Sequence, residues 1–116
     1  MAEGYEKAPC ELRKKISFVN LPSGWTHNYN NYVIGKIVIL GGMLHSETPI
    51  TAKSINFPNI IPEEYEYTGQ RLGFSGYNNA TDNPLHGIIS NRNLTFYRPE
   101  TENLTDIEFS VVYAIG

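Results

Sequence analysis

The sequence has few of the residues on which several classes of protein depend. Its 116 residues include a single Cys, so no disulfide can form within one chain, and the fold does not need an oxidising compartment. The net charge of −3 argues against a nucleic-acid partner, which normally binds to a basic surface. The longest apolar run, residues 37–44, is far shorter than the roughly 18 residues that span a bilayer. We therefore expect a soluble protein without nucleic-acid binding or membrane insertion.

The sequence also lacks the local motifs of common active sites and metal centres. The spacings between His27, His45 and His86 match no local zinc signature, and there is no Gly-Xaa-Ser-Xaa-Gly elbow. Cys10 lies in a segment without regular periodicity, which makes it a poor nucleophile candidate. Two clusters of carboxylates could supply an acid–base pair: Glu63, Glu64 and Glu66, and Glu100, Glu102 and Asp106. Both clusters lie in predicted loops or turns, where exposed acids are common. We predict no enzyme, no catalytic residues, no metal and no cofactor.

Tyrosine, with 8 copies, and the residue types of strands and polar turns are abundant. Residues 1–15 show no clean period and are predicted to form an N-terminal arm or linker. From Ile16 a period of two begins, and about eight apolar runs alternate with turn residues. One helical turn is expected at residues 62–67, after Pro62. The pattern predicts an all-β domain over residues 16–116, an antiparallel, jelly-roll-like sandwich with little helix.

The strongest predicted strand is residues 36–44. Both of its faces are apolar, one carrying Ile37, Ile39 and Met43 and the other Val38, Leu40 and Leu44. Such a strand has to be covered on both sides, whereas a lone sandwich covers only one. We therefore predict a subunit interface and assign Val38, Leu40 and Leu44 to it. The Gly41–Gly42 pair inside this strand indicates a bulge or a close approach of two backbones.

Aromatic and amide side chains are the remaining functional signal. Aromatic faces stack on sugar rings, while Asn, Asp, His and Arg side chains hydrogen-bond sugar hydroxyls. The loop after Tyr77 combines both kinds of group. The predicted saccharide-binding residues are Trp25, Tyr77, Asn78, Asn79, Asp82, His86 and Arg98. The alternative interpretation is that each tyrosine packs in the core with its hydroxyl at the rim.

Several motifs resemble the C-terminal head domains of phage tail-fibre and baseplate receptor-binding proteins. They are Leu21-Pro-Ser-Gly-Trp25, Gly35-Lys-Ile-Val-Ile-Leu-Gly41, Ile55-Asn-Phe-Pro58 followed by Pro62, Leu85-His-Gly-Ile-Ile-Ser90, Asn93-Leu-Thr-Phe-Tyr97 and Phe109-Ser-Val-Val-Tyr113. The sequence departs from the family pattern at two turns. Residues 57–65 lack the glycine of the mid-domain turn, and Asn91-Arg-Asn93 replaces a hairpin Asn-Gly. The resemblance implies a homotrimeric virion head that contacts other tail or baseplate proteins and binds a host-surface glycan without catalysis.

Two other functions remain open at this point. One is a structural virion or assembly module of the same fold that recognises no sugar. The other is a small bacterial lectin-like or glycan-acting domain, in which Glu64 and Asp106 would be the acids to test.

Overall fold

The computed structural model describes residues 13–28 and 31–116, which form nine strands and one short helical turn. The strands are β1 (Arg13–Ile16), β2 (Trp25–Asn28), β3 (Asn31–Ile34), β4 (Ile37–Ile50), β5 (Ser54–Phe57), β6 (Tyr67–Asn78), β7 (Pro84–Asn91), β8 (Asn93–Tyr97) and β9 (Leu104–Ala114). A 3-10 turn spans Glu63–Tyr65 after Pro62, as predicted. In the described part of the chain, no helix is long and apolar enough to cross a bilayer.

The predicted N-terminal arm lies mostly outside the described residues. Residues 1–12, with Cys10, are not among them. Residues 13–15 had been assigned to the arm, but they belong to β1, which pairs with β3 from Arg13↔Ile34 to Ile16↔Asn31. The polar sequence Arg-Lys-Lys did not indicate a strand. An edge strand with exposed side chains needs no alternation of apolar and polar residues.

All nine strands belong to one antiparallel sheet. Its order is β1-β3-β4-β9-β6-β7-β8-β5, and β2 pairs with β4 farther along the edge that β3 occupies. Strand β9 pairs with β4 along most of its length, but with β6 only from Gly76↔Phe109 to Asn78↔Ile107. The sheet curls into a half-barrel. The prediction of an antiparallel all-β fold is confirmed, while the finer prediction of a two-sheet sandwich or jelly roll is not.

The core lies on the concave side of the curled sheet. Phe96 of β8 is fully buried, and its ring centroid lies 5.4 Å from that of Phe109 in β9. At the margins of the sheet, the indole of Trp25 in β2 meets the ring of Phe57 in β5 edge-on, with centroids 4.8 Å apart. The sheet has two halves that meet where β9 pairs with β6. The aromatic contacts join β8 and β5 of one half to β9 and β2 of the other, so both halves pack on a common core.

Strand β4 confirms one sequence expectation and corrects another. A methyl group on Gly41 would lie 3.0 Å from the backbone oxygen of Phe109, which is the close backbone approach predicted for the glycine pair. The predicted interface residues, however, have no exposed area within a single chain: Val38, Leu40 and Leu44. They belong to the core of the single chain and offer no surface to a second subunit, while the subunit interface itself stays a prediction.

The convex face of β4 carries the exposed apolar side chains instead. Ile34 and Ile37 pair across β3 and β4 and are 37% and 42% exposed. Val112 of β9 pairs with Ile39 and is 55% exposed. We call Ile34, Ile37, Ile39 and Val112 the convex patch. Three of its members are among the five large apolar side chains that are exposed in the described part of the chain.

Candidate functional site

A half-open groove of about 490 Å³ lies beside β2. It is lined by Lys15, Ile16, Ser17, Phe18, Leu21, Trp25, Thr26 and His27. We call it the β2 groove. Its volume falls within the range of about 300–1,000 Å³ that is typical of small-molecule sites. The lining combines three aromatic rings with hydroxyl and amino groups, so the groove can offer both stacking surface and hydrogen bonds.

The segment between β1 and β2 forms one wall of the groove. After Ile16 the chain turns away from the sheet, and the Val19 amide donates to the backbone oxygen of Ile60 at 2.8 Å. The side-chain amide of Asn20 donates to the backbone oxygen of Asn59 at 3.0 Å. These two bonds hold the segment between β1 and β2 against Asn59 and Ile60, which precede the 3-10 turn. The segment therefore does not lie against the edge of β2. The space left beside β2 is the groove.

The Leu21-Pro-Ser-Gly-Trp25 motif positions the indole. The Trp25 amide donates to the backbone oxygen of Pro22 at 3.1 Å, which closes a turn, and Gly24 has a positive φ of 87°. Gly24 also accepts a bond from the Glu47 amide, which anchors the turn to β4. Trp25 therefore enters β2 with one edge against Phe57 and part of its surface exposed in the groove. Of the seven predicted saccharide-binding residues, Trp25 is the one that lines the groove.

His27 is a groove residue that the sequence did not indicate. Its Nε2 atom lies 2.7 Å from the backbone oxygen of Gly41, an acceptor, so Nε2 carries the proton. Burial lowers the pKa of His27, which keeps the ring neutral at pH 7 and leaves Nδ1 as a hydrogen-bond acceptor. The ring packs against Phe18 with centroids 4.6 Å apart. No local motif marks this arrangement, because Gly41 is 14 residues away along the chain.

The predicted loop site after Tyr77 forms a cluster, but none of its members lines the β2 groove. Tyr77 donates its hydroxyl to Glu108 Oε2 at 2.6 Å, and this bond raises the pKa of Tyr77. The Asn79 amide donates to the backbone oxygen of Asp106, and Asp82 sits in a turn with a positive φ of 63°. Asn78 is buried, and its Oδ1 accepts from the Ala80 amide, while its Nδ2 has no hydrogen-bond partner among the described residues. Its role as a sugar ligand stays a prediction.

The remaining two predicted ligands differ in accessibility. His86 is exposed on the convex face of β7, where it pairs with Ser75 on one side and Tyr97 on the other. Arg98 is 7% exposed, and its Nε and one terminal nitrogen donate to the backbone oxygens of Ala52 and Ile50 at 3.0 and 2.8 Å. Arg98 therefore fixes the segment between β4 and β5. The guanidinium is buried, and its other terminal nitrogen has no hydrogen-bond partner among the described residues, so the role of Arg98 as a saccharide ligand stays a prediction.

The carboxylates of Glu100, Glu102 and Asp106 form hydrogen bonds that hold local structure together. Asn83 donates its side-chain amide to Glu100 Oε2 at 2.8 Å and to Glu102 Oε1 at 2.7 Å, and its bond lowers the pKa of Glu102. Asp106 accepts from His45 Nδ1 at 2.7 Å and from the Thr105 hydroxyl at 2.9 Å. Across residues 13–28 and 31–116, no group of three His, Cys, Asp or Glu side chains is placed to hold a metal ion.

The comparisons with known proteins assign no family. No protein-family model matches the chain, and no curated protein is similar enough to count as a relative.

Proposed function

We propose that this chain is the head domain of a virion tail-fibre or receptor-binding protein, which forms a homotrimer and binds host-surface saccharide without catalysis. The observation that carries the proposal is the β2 groove, which is lined by both Trp25 and His27. The resemblance to phage receptor-binding heads supports the biological setting. Its Leu21-Pro-Ser-Gly-Trp25 motif is also the turn that positions the indole.

The lining of the groove suits a sugar ring. One side of a pyranose is apolar and stacks on an aromatic face, while its hydroxyls need donors and acceptors around the rim. Trp25 supplies the aromatic surface, and its packing on Phe57 fixes the ring before a ligand arrives. His27 supplies an acceptor, and Ser17 supplies a hydroxyl that can donate or accept. The jelly-roll-like architecture that the resemblance implies is part of this proposal.

The experiment is a glycan array followed by titration calorimetry on the best-binding glycan. We expect Trp25→Ala to weaken binding by about tenfold or more, because stacking of this kind contributes on the order of 1.4 kcal/mol. Tyr77→Ala and Tyr97→Ala are the matched controls, since both remove an aromatic ring outside the groove. Thermal melting of each variant separates loss of a contact from loss of the fold. Equal affinity of Trp25→Ala and wild type would contradict the assignment of this site.

The convex patch supports the assembly part of the proposal. Large contiguous apolar patches commonly mark protein contacts, and Ile34, Ile37 and Val112 are exposed on one face of the sheet. The test is the mass in solution by light scattering, which for a trimer is about 39 kDa, three times the 13.1 kDa of one chain. We expect Val112→Lys to reduce this mass to that of one chain. Val19→Lys is the control, because Val19 is 37% exposed but lies outside the patch.

The same patch also favours a second candidate, a structural assembly module. Such a module would form the trimer through the convex patch and bind no saccharide. A stable trimer that fails to bind any glycan on the array would favour this candidate over the receptor-binding head. A monomer at all concentrations would contradict the assembly part of both.

A further inference from the structure

One edge of strand β9 has no partner strand along part of its length. On one side β9 pairs with β4 as far as Ala114, but on the other side its pairing with β6 ends at Gly76↔Phe109. In the described part of the chain, no further strand lies beside β9 past that point. The edge is therefore open from Ser110 to Ala114. Ser110, Val112 and Ala114 are all exposed.

The hydrogen bonds of β4 show which backbone groups of β9 face this open edge. Alternate residues of an antiparallel ladder direct their N–H and C=O groups to opposite sides of the strand. Gly41 lies opposite Ser110, yet its N–H donates to Asn31 Oδ1 and its oxygen lies 2.7 Å from His27 Nε2. Both partners lie on the side of β4 that is away from β9. Gly41 and Ser110 are therefore a pair without mutual backbone bonds, and the backbone groups of Ser110 face away from β4.

The same alternation directs the backbone groups of Val112 and Ala114 into the open edge. At the other end of β9, the oxygen of Asp106 accepts from the Asn79 amide at 3.0 Å, so the even-numbered residues face the β6 side there as well. No hydrogen bond to the N–H or C=O groups of Val112 and Ala114 occurs between the residues that the structure describes. Two donors and two acceptors therefore alternate along an exposed backbone.

The other free edges of the sheet carry features that discourage the addition of a strand. β1 is basic, and β2 and β5 have four residues each. β6 carries Arg71 and has an irregular register between Tyr67 and Leu72. Charge, short length and bulges are devices that keep an edge from pairing with another chain. The open edge of β9 has none of these devices, since residues 110–114 are uncharged and pair regularly with β4.

We propose that the open edge of β9 binds an extended segment of a partner polypeptide, which adds to the sheet as a further strand beside residues 110–114. The chemistry of the edge identifies this occupant, because the backbone of another strand matches its alternating donors and acceptors in full. Val112 is 55% exposed on the convex face, opposite Ile39, so an apolar residue of the added strand would pack beside it. The inference goes beyond saccharide binding and does not depend on it.

A second copy of the chain fits this edge less well than a single extended segment. From Phe109 toward its N-terminus, β9 is already covered by β6, so the β9 strands of two copies could overlap only over residues 110–114. Stable protein complexes bury about 1,200–2,000 Å², which so short a ladder does not provide. A lone extended segment brings no folded domain to the edge and needs only the ladder and its side-chain contacts.

The first measurement tests whether the edge is open in solution. Hydrogen exchange of the intact chain is followed residue by residue by NMR. We expect slow exchange for the amides of Val111 and Tyr113, which face β4, and fast exchange for those of Val112 and Ala114. Protection of all four amides would overturn the inference. Loss of that protection on dilution would then identify a second copy as the occupant.

The second measurement supplies a strand to the edge. The probe is a capped peptide in which Thr and Val alternate over about seven residues, slightly more than a typical strand. Main-chain bonds supply much of the affinity in this mode of recognition, so the probe need not match the sequence of the natural partner. We expect the peptide to protect the amides of Val112 and Ala114. The same peptide with alternate backbone nitrogens methylated is the control, because it cannot form the ladder.

Two variants of Val112 assign the binding to the backbone. Val112→Pro removes the N–H group that faces the edge and should keep the fold, because proline is tolerated where the N–H of a strand faces solvent. We expect it to weaken peptide binding by about tenfold or more. Val112→Thr keeps the N–H group and a β-branched side chain and should bind as wild type does.

Three results would overturn the proposal. They are equal binding of the peptide to Val112→Pro and wild type, equal binding of the methylated and unmethylated peptides, and no protection of Val112 and Ala114 at the highest soluble peptide concentration. The methylated peptide leaves the protein unchanged, so its result stands even if Val112→Pro fails to fold.

Discussion

The junction between the two halves of the sheet can be tested with a single methyl group on Gly76. Strand β6 meets β9 over three residue pairs, and Gly76 lies opposite Phe109 in the first of them. A methyl group on Gly76 would lie 2.9 Å from the backbone oxygen of Glu108 and 3.2 Å from Cβ of Phe109. A backbone oxygen cannot turn aside as a side chain does, so Gly76→Ala has to push the two strands apart.

The expected cost is that of overpacking, about 1–3 kcal/mol. With an unfolding entropy of about 2.1 cal/mol/K per residue, the 116 residues have about 0.24 kcal/mol/K in total, so each 1 kcal/mol lowers Tm by about 4 °C. Gly76→Ala should therefore lower Tm by about 4–12 °C in a thermal melt followed by circular dichroism.

Gly73 of the same strand supplies the control for this measurement. A methyl group there would lie 3.4 Å from Cε1 of His86, an exposed side chain that can move. Gly73→Ala should be neutral, or stabilising by about 0.4–1 kcal/mol, because it restricts the unfolded chain. Equal melting temperatures for Gly76→Ala and wild type would refute the close approach of β6 and β9 on which the curled sheet depends.

Two further predictions concern buried polar groups. Tyr113→Phe removes a buried hydroxyl that donates to the backbone oxygen of Tyr65 at 2.6 Å. The loss should lower the free energy of unfolding, measured in urea, by about 1–3 kcal/mol. The control, Tyr97→Phe at an exposed site, should change it by less than about 0.5 kcal/mol. Burial holds the pKa of His27 below 6.5, so the unfolded chain binds the proton more readily than the folded chain does. The contribution of His27 to the free energy of unfolding should therefore be complete above about pH 6.5 and be lost as the pH falls. His27→Gln should reduce that pH dependence. The same stability change in both proteins between pH 7 and 5 would contradict the burial of His27.

Local chemistry predicted the strand-rich fold and several of its turns, but not β1 or the full length of β4. Pro62 marks the 3-10 turn, and Gly35 and Asn91 adopt a positive φ in the turns before β4 and after β7. In β9, Ile107, Phe109, Val111 and Tyr113 alternate along the strand and are buried. The period of two could not decide between the two faces of β4, because both are apolar. Phe96 and Phe109, which are distant in sequence, determine which face is buried.

The candidate site was harder to predict than the fold, because the groove is made of distant segments. Trp25 was found because it ends a recognisable turn motif. Lys15 and His27 were missed, since a lysine in a polar run and an isolated histidine carry no local signal. Sequence also could not show that Asn78 and Arg98 are buried, or that backbone groups bind the Asn78 oxygen and two of the Arg98 nitrogens.

The proposed function places saccharide binding and assembly on separate surfaces, and this makes a last prediction possible. The β2 groove and the convex patch share no residue: the groove is lined from β1, β2 and the segment between them, and the patch lies on β3, β4 and β9. A trimer presents three grooves, so its binding to a glycan-coated surface gains avidity of about 10²–10⁴ over one site.

Val112→Lys should therefore leave the affinity for a soluble monovalent glycan unchanged. It should lower retention on a surface densely coated with the same glycan by about a hundredfold, as measured by surface plasmon resonance. Val19→Lys should behave as wild type in both assays. A loss of monovalent affinity in Val112→Lys would mean that the groove is completed only when subunits meet, and the two surfaces would then form one site.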